Sequence, residues 1–258
     1  NLRAALAWAR EQPDGDAEIR LAGALGRFWL LRGYIGEGRE WVEHALARPD
    51  LGDAPLSIQA LLYRAGGMLW NAQGDRAQGD TMFEQSVALY HAASDTAGEV
   101  NSLILLAGIA YDYGEFPRAI EIWEQCVQLA RRIDYPEALT RALGNLGAAW
   151  LYLGDLERTT TSQMEALAIA QDAGMVNMVG AIYSNLGNVA NRQGETERAT
   201  AHLREALTLN VAMNDPRQIA VALERFAAVA VTDGRMDRAA RLLGAARRIR
   251  DRLGSVAA

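Results

Sequence analysis

The side chains most able to do chemistry in this sequence are three histidines and one cysteine. His44, His91 and His202 lie far apart, and none belongs to an HExxH motif or stands beside a paired carboxylate. A zinc site requires three or four ligands that converge on the metal. A cysteine nucleophile requires a neighbouring histidine and an electropositive environment, and Cys126 has neither signal. The sequence therefore predicts no metal site, no cofactor and no enzyme activity.

Lysine is absent from the chain, whose 26 basic residues are all arginine. A P-loop requires a lysine for the phosphates, and a pyridoxal-phosphate Schiff base requires a lysine amine. Neither GxSxG nor GxGxxG occurs. These absences exclude several common classes of enzyme and leave a binding or structural role.

Composition indicates an ordered protein of the cytoplasm. Half of the 258 residues are apolar and 22% are charged, with a net charge of −6. The longest uncharged apolar run, Leu103 to Ala110, is far shorter than the roughly 20 residues that span a bilayer. A single cysteine suits a reducing compartment, and no signal peptide is visible. Eight arginines fall within 225–258, but their helical spacing indicates a solvated helix face, so no direct nucleic-acid binding is expected.

The elements that position these side chains are set by a repeat. Six glycines pace the chain at one interval of 41 residues followed by four of 40: Gly33, Gly74, Gly114, Gly154, Gly194 and Gly234. A fixed period of this length is typical of a stacked repeat array. Small residues also recur seven residues before each glycine. In most repeats a larger apolar residue lies eight residues before the glycine and another lies nine residues after it. We number the repeats 1 to 6 by these glycines.

Each repeat is predicted to form two antiparallel helices joined at its glycine, which accepts the left-handed backbone that ends a helix. Pro136 and Pro216 stand where first helices should begin, the latter behind Asp215 as a cap. In repeat 4, the polar run 159–162 and Gln163 replace good helix formers and an apolar residue. This run predicts a locally weaker helix.

The stretches LGNLGAAWLYLGDLERTTTSQMEALAIA and YSNLGNVANRQGETERATAHLREALTL resemble the tetratricopeptide (TPR) repeat in their order of small and large residues and their Gly-Asp/Glu turn. The resemblance implies an all-α, right-handed superhelical solenoid of about six helix-turn-helix units. The period of 40 exceeds the 34 of the family, so HEAT-like repeats remain an alternative. The expected division is a helix at 1–12 that completes a preceding unit, an array over 16–253 and a tail at 254–258. The repeats are expected at about 16–50, 55–93, 96–133, 136–173, 176–213 and 216–253.

In TPR arrays the first helices line a concave groove, and the resemblance implies which positions face it. They carry mainly amides and arginines, which can bind the backbone and the acidic groups of a partner. The candidate groove residues are Arg64, Asn71, Asn101, Tyr111, Arg141, Asn145, Ser184, Asn185, Asn188, Asn191 and Arg225. The expected occupant is a peptide or protein partner, or a small inducer.

The opening and closing stretches, NLRAALAWA…FWLLRGYIGEGREWVEHALA and DRAARLLGAARRIRDRLG, resemble the helical-repeat region of bacterial STAND-class regulators with LuxR-type or SARP-type DNA-binding domains. This resemblance implies a fragment of a signal-responsive transcriptional regulator, attached to an ATPase and a DNA-binding domain. The alternative is a purely structural scaffold without a small ligand. It would self-associate through an exposed first helix bearing Leu2, Leu6 and Trp8.

Overall fold

The computed structural model describes residues 1–254, and residues 255–258 of the predicted tail lie outside this part. Every regular element in the described part is helical. A 3₁₀ turn at Leu51–Asp53 accompanies the following α-helices: α1 Leu2–Arg10, α2 Asp16–Arg32, α3 Ile35–Leu46, α4 Leu56–Ala72, α5 Arg76–Ala92, α6 Thr96–Asp112, α7 Phe116–Arg132, α8 Pro136–Tyr152, α9 Leu156–Asp172, α10 Val176–Arg192, α11 Thr196–Ala212, α12 Pro216–Thr232 and α13 Met236–Arg252.

The chain divides into two compact units. The first is Asn1–Ala138 and the second begins at Leu139. In the first unit, each helix packs on its neighbours in sequence, and α4 also packs on α2 and on α6. In the second unit, α10 packs on α9 and α11 and also on α12. Within each unit, the first helices of adjacent repeats therefore stand side by side, which confirms the predicted all-α repeat packing.

The glycine turn predicted from the sequence is confirmed at all six positions. The six glycines have φ between 72° and 86°, in the left-handed region. At Asp215 the predicted cap is also present, because its Oδ1 accepts hydrogen bonds from the backbone N–H groups of Arg217 and Gln218 at 3.0 and 3.1 Å. Pro216 occupies the first turn of α12, where its missing N–H costs no helical hydrogen bond.

Small residues allow the two helices of a repeat to approach closely. A methyl group added at Gly67 on α4 would lie 2.6 Å from the ring of Phe83 on α5. One added at Gly187 on α10 would lie 2.6 Å from Leu203 Cγ on α11. Phe83 and Leu203 are fully buried at these contacts. The repeated small residue is therefore a packing requirement.

A second left-handed turn recurs at the four connections from repeat 2 to repeat 6. Ser94, Asp134, Gly174 and Asn214 are spaced at 40 residues and have φ of 57°, 51°, 65° and 51°. Only one of the four is glycine, so the sequence pattern did not reveal this turn. The connection conserves its backbone geometry even where the side chain makes that geometry costly.

One expectation is corrected by the structure, and another stays a prediction. The polar run 159–162 lies inside α9, in which the hydroxyls of Thr159, Thr160 and Thr161 donate to the carbonyls four residues earlier. Such bonds slightly destabilise a helix, so the local weakness of α9 stays a prediction. Leu6 was expected on an exposed face of α1, but it is 1% exposed and packs in the first unit's core. Leu2 and Trp8 are exposed, as expected. Within residues 1–254, no helix is long and apolar enough to cross a bilayer.

Candidate functional site

The candidate groove residues lie on the first helices of repeats 2 to 6, namely α4, α6, α8, α10 and α12. Ser184 is buried and the other ten are half-buried. Half-burial is what a helix face partly covered by its neighbours produces. The side chains differ sharply in whether their polar groups are already bonded within the chain.

In the second unit, the structure brings Asn185 and Arg225 together in a polar relay with Gln163. The Nε2 of Gln163 on α9 donates to the carbonyl of Gly144 on α8 at 2.9 Å. The Nδ2 of Asn185 on α10 donates to Gln163 Oε1 at 3.5 Å. The Oδ1 of Asn185 accepts from Arg225 Nη2 on α12 at 2.9 Å. Both ends of the Asn185 amide are therefore used to join three repeats.

Gln163 is the residue of this relay that the sequence analysis interpreted differently. It is 1% exposed and stands where the other repeats carry an apolar residue. Its amide fits because the neighbouring position on α8 is Gly147, where any Cβ would collide with the Gln163 side chain. The sequence signal for this contact is the small residue Gly147 combined with the polar Gln163, and this combination indicates a connection between repeats.

Arg225 is a cation held in place on α12. Burial lowers its pKa to about 10, and the neighbouring Glu224 partly opposes this shift. The Glu224 carboxylate is bound by Arg250 in two hydrogen bonds of 2.7 and 2.8 Å. The buried Nη1 of Arg225 has no hydrogen-bond partner in residues 1–254. Arg225 thus stays charged at neutral pH and keeps unused donor capacity.

In the first unit, the candidate residues contact aromatic and phenolic groups. Arg64 lies 5.8 Å from the ring centroid of Tyr90, and Asn101 Nδ2 donates to Ala97 O at 2.9 Å and to the Tyr135 hydroxyl at 3.4 Å. Tyr111 packs against Phe116 and Trp123, with ring centroids 5.4 and 5.7 Å apart. These contacts hold the side chains on the helix face.

The remaining amides are the least committed members of the set. Asn145 and Asn188 make no side-chain hydrogen bond to any other described residue, and both are half-buried. Asn71 and Asn191 occupy the same position of repeats 2 and 5, and in both the buried Oδ1 lacks a partner within residues 1–254. An unbonded amide on a helix face can serve a bound partner without first losing an internal bond.

The contacts and burial of the three histidines and the cysteine are those of structural residues. His44 Nδ1 lies 2.7 Å from a carboxylate oxygen of Glu18, and His91 is largely exposed. His202 stacks on Tyr183 at 5.9 Å, and burial lowers its pKa. Cys126 is buried. Among residues 1–254, no group of three or more potential ligands could hold a metal ion.

Sequence reasoning missed a buried ion cluster in the first unit. Glu18 on α2 is fully buried and lies 3.2 Å from Arg10 Nε and 3.3 Å from Arg48 Nη1, in addition to its contact with His44. Arg48 also binds Asp50 at 2.9 Å, and this hydrogen bond together with one from Gly15 N–H lowers the pKa of Asp50 to about 2. The cluster joins α1, α2 and α3. Arg10 and Arg48 lie 8 and 30 residues from Glu18 in the chain, and no motif marks them.

Comparison with known proteins agrees with this architecture. Residues 179–215 match the family model of the tetratricopeptide repeat, which favours TPR over the HEAT alternative for that segment. No curated protein sequence matches the chain.

Several solved structures are similar over most of the chain. A STAND protein with a tetratricopeptide repeat sensor from Pyrococcus horikoshii has a TM-score of 0.76 at 14% identity, covering 96% of this chain and 38% of that one. The apo quorum sensor NprR from B. thuringiensis has a TM-score of 0.67 at 12% identity, covering 96% and 69%. BtubC from P. vanneervenii has a TM-score of 0.63 at 19% identity, covering 100% and 94%. The TM-scores establish a shared fold, the TPR-type helical repeat array.

Proposed function

We propose that the chain is a non-catalytic binding module, the sensor arm of a bacterial signal-responsive transcriptional regulator of the STAND class. Its first helices bind a peptide, a protein partner or a small inducer, and binding biases an attached ATPase and DNA-binding domain. The cytoplasm is the expected location. The fold shared with the sensor-bearing STAND protein of Pyrococcus horikoshii supports this proposal, as does the STAND-like character of the opening and closing stretches.

The observation that carries the proposal is the contrast between bonded and unbonded amides on the first helices. Both polar atoms of the Asn185 amide are bonded in the relay, whereas the amides of Asn145 and Asn188 have no hydrogen-bond partner within residues 1–254. Arg225 lies on α12, the next first helix along the chain, and its buried Nη1 has no hydrogen-bond partner within residues 1–254. A fixed cation with free amides on consecutive repeats suits an extended chain or a small polar ligand, because each repeat then contributes one contact.

The structure refines the variants that test this proposal. Asn188→Ala removes an amide that supports nothing inside the protein, so it should reduce binding without changing the melting temperature. Asn185→Ala breaks the relay and should lower the melting temperature as well. Asn177→Ala, an exposed asparagine at the start of α10, serves as the matched control.

The first experiment is to select linear peptides from a displayed library on the full chain and to titrate the enriched peptides by fluorescence anisotropy. We expect Asn145→Ala and Asn188→Ala together to raise Kd roughly tenfold or more, and Asn177→Ala to leave it unchanged. A parallel thermal-shift series with the low-mass fraction of a bacterial lysate tests for an inducer, since a ligand of the folded state raises the melting temperature. Equal responses from the Asn145/Asn188 variant and the wild type would refute the groove.

The competing function is a structural scaffold that self-associates. Trp8 is 59% exposed and Leu2 is 43% exposed on α1, which leaves apolar surface available there even though Leu6 is buried. A scaffold of this kind predicts concentration-dependent oligomers in sedimentation velocity that Trp8→Gln dissolves. It also predicts no stabilisation by either lysate fraction.

A further inference from the structure

The turn between the helices of each repeat carries a regular charge pattern that fails in repeat 6. The residue after the turn glycine is acidic in repeats 2 to 5 and is Arg235 in repeat 6. The residue three positions later is arginine in repeats 3 to 6. In repeats 3, 4 and 5 this arginine pairs with the preceding acid, at distances of 3.2, 3.4 and 3.0 Å. In repeat 6 the partner acid is replaced, and Arg238 is left beside another arginine.

The interface between α5 and α7 in the first unit shows one arrangement that such arginines can form with carboxylates. Between α5 and α7, Arg118 lies 3.0 Å from Asp80 and 3.3 Å from Glu84, and Arg76 pairs with Glu115. These carboxylates neutralise the arginines and close the space between the two helices.

At the corresponding positions of α11 and α13 the carboxylates are gone. Thr200 stands where repeat 2 has Asp80, Arg204 stands where it has Glu84, and Arg235 stands where repeat 3 has Glu115. Arg204 and Arg238 form no ion pair with any residue in the described part of the chain. Arg235 lies 4.0 Å from Asp233, the limit of an ion pair.

A cleft of about 360 Å³ lies where these residues meet, within the second unit. Its walls carry the three arginines, the hydroxyls of Thr196 and Thr200 and an apolar patch that includes Phe226, together with the carboxylates of Glu197 and Asp233. This volume falls in the range of small-molecule sites, and the lining is mainly polar, with an apolar wall made by Phe226, Val229 and Ala230.

This arrangement leaves three exposed arginines without a close carboxylate partner in the described part of the chain. Arg235 and Arg238 are like charges three residues apart at the start of α13, where the helix dipole also disfavours cations. Local rules broken in this way are expected at functional sites, where a ligand supplies the missing interaction. A bound anion would supply the charge that Glu115, Asp80 and Glu84 supply in the first unit.

We propose that the cleft formed by Arg204, Arg235 and Arg238 binds a small organic anion, with a phosphate or carboxylate group on the arginines and an apolar body against Phe226. Arginine suits either group because its planar fork donates two parallel hydrogen bonds. The cleft is lined by α11, by the second half of α12 and by the turn and start of α13, and none of the amides of the proposed groove lines it.

The test uses phenyl phosphate and phenylacetate as probes, titrated calorimetrically into the full chain. We expect saturable binding of at least one probe, and the tighter one identifies the acid group. Arg204→Gln combined with Arg238→Gln should raise Kd roughly tenfold or more, because charge-assisted hydrogen bonds are lost. Arg198→Gln is the matched control, since Arg198 occupies the position of Arg238 in repeat 5 and pairs with Glu195.

A charge reversal gives a second and opposite readout. Arg235→Glu should restore the pairing with Arg238 seen in repeats 3 to 5, so it should raise the melting temperature while abolishing probe binding. Equal affinities in wild type, Arg204→Gln/Arg238→Gln and Arg198→Gln would overturn the proposal, as would the absence of saturable binding. Neither result depends on Asn145 or Asn188, so failure here is distinct from failure of the groove.

Discussion

Two glycines of repeat 3 should respond to the same substitution with opposite signs. Gly114 ends α6 with φ of 80°, whereas Gly108 lies inside α6 and its φ falls outside the left-handed region. At both sites an added Cβ would meet no atom within 4 Å. An added methyl group therefore makes no packing contact at either site, and the two sites differ only in backbone conformation.

The magnitudes follow from that difference. Gly114→Ala forces a residue with a Cβ into the left-handed region, which costs about 1–2 kcal/mol. Gly108→Ala reduces the entropy of the unfolded chain within a helix and should stabilise by about 0.5–1 kcal/mol. The two variants should therefore differ by about 1.5–3 kcal/mol in free energy of unfolding. Gly67→Ala serves as a packing control, because it should destabilise by collision with Phe83.

Urea denaturation followed by circular dichroism at 222 nm is the assay, with the midpoint compared at unchanged slope. Melting temperature should move by about 2–4 °C per kcal/mol for a chain of this size. Because the array contains two units, coincidence of the circular dichroism and fluorescence transitions should be checked first. A shift of the same sign for Gly108→Ala and Gly114→Ala would refute the reasoning.

Three further predictions concern stability. Glu18→Ala should destabilise by about 2 kcal/mol, because it removes a buried carboxylate that accepts hydrogen bonds from Arg10 and Arg48. The exposed Glu40→Ala should cost under about 0.5 kcal/mol, and equal melting temperatures for the two variants would contradict this. Asp134→Gly should stabilise by about 1 kcal/mol by relieving its left-handed backbone, as chemical denaturation can test. The depressed pKa of Asp50, about 2, contributes stability that is present above the unfolded pKa near 4 and is lost as pH falls toward 2. The stability difference between wild type and Asp50→Asn should therefore shrink across that interval, and a constant difference in acid titrations monitored by circular dichroism would exclude this ion pair.

The sequence by itself determined the repeat and its local geometry. A glycine every 40 residues, Pro216 behind Asp215 and a small residue beside Phe83 each act within one repeat, through backbone conformation or contact between adjoining helices. Such constraints are local, so a periodic pattern exposes them. The left-handed turn between repeats could not be predicted from the sequence, because Ser94 holds the left-handed conformation at a position where glycine would have indicated it.

The tertiary structure decided which polar groups meet. Asn185 and Asn188 look equivalent in sequence, but Asn185 is bonded to Arg225, 40 residues away, and Asn188 has no such bond in the described residues. In the sequence nothing distinguishes Glu18 from an exposed charged residue, but the packing of α2 buries it next to Arg10 and Arg48. The physical reason is that a side chain's partners across repeats depend on the rotation and register of neighbouring helices. One sequence period fixes the spacing of helices along the chain, and only their packing fixes which atoms come within bonding distance.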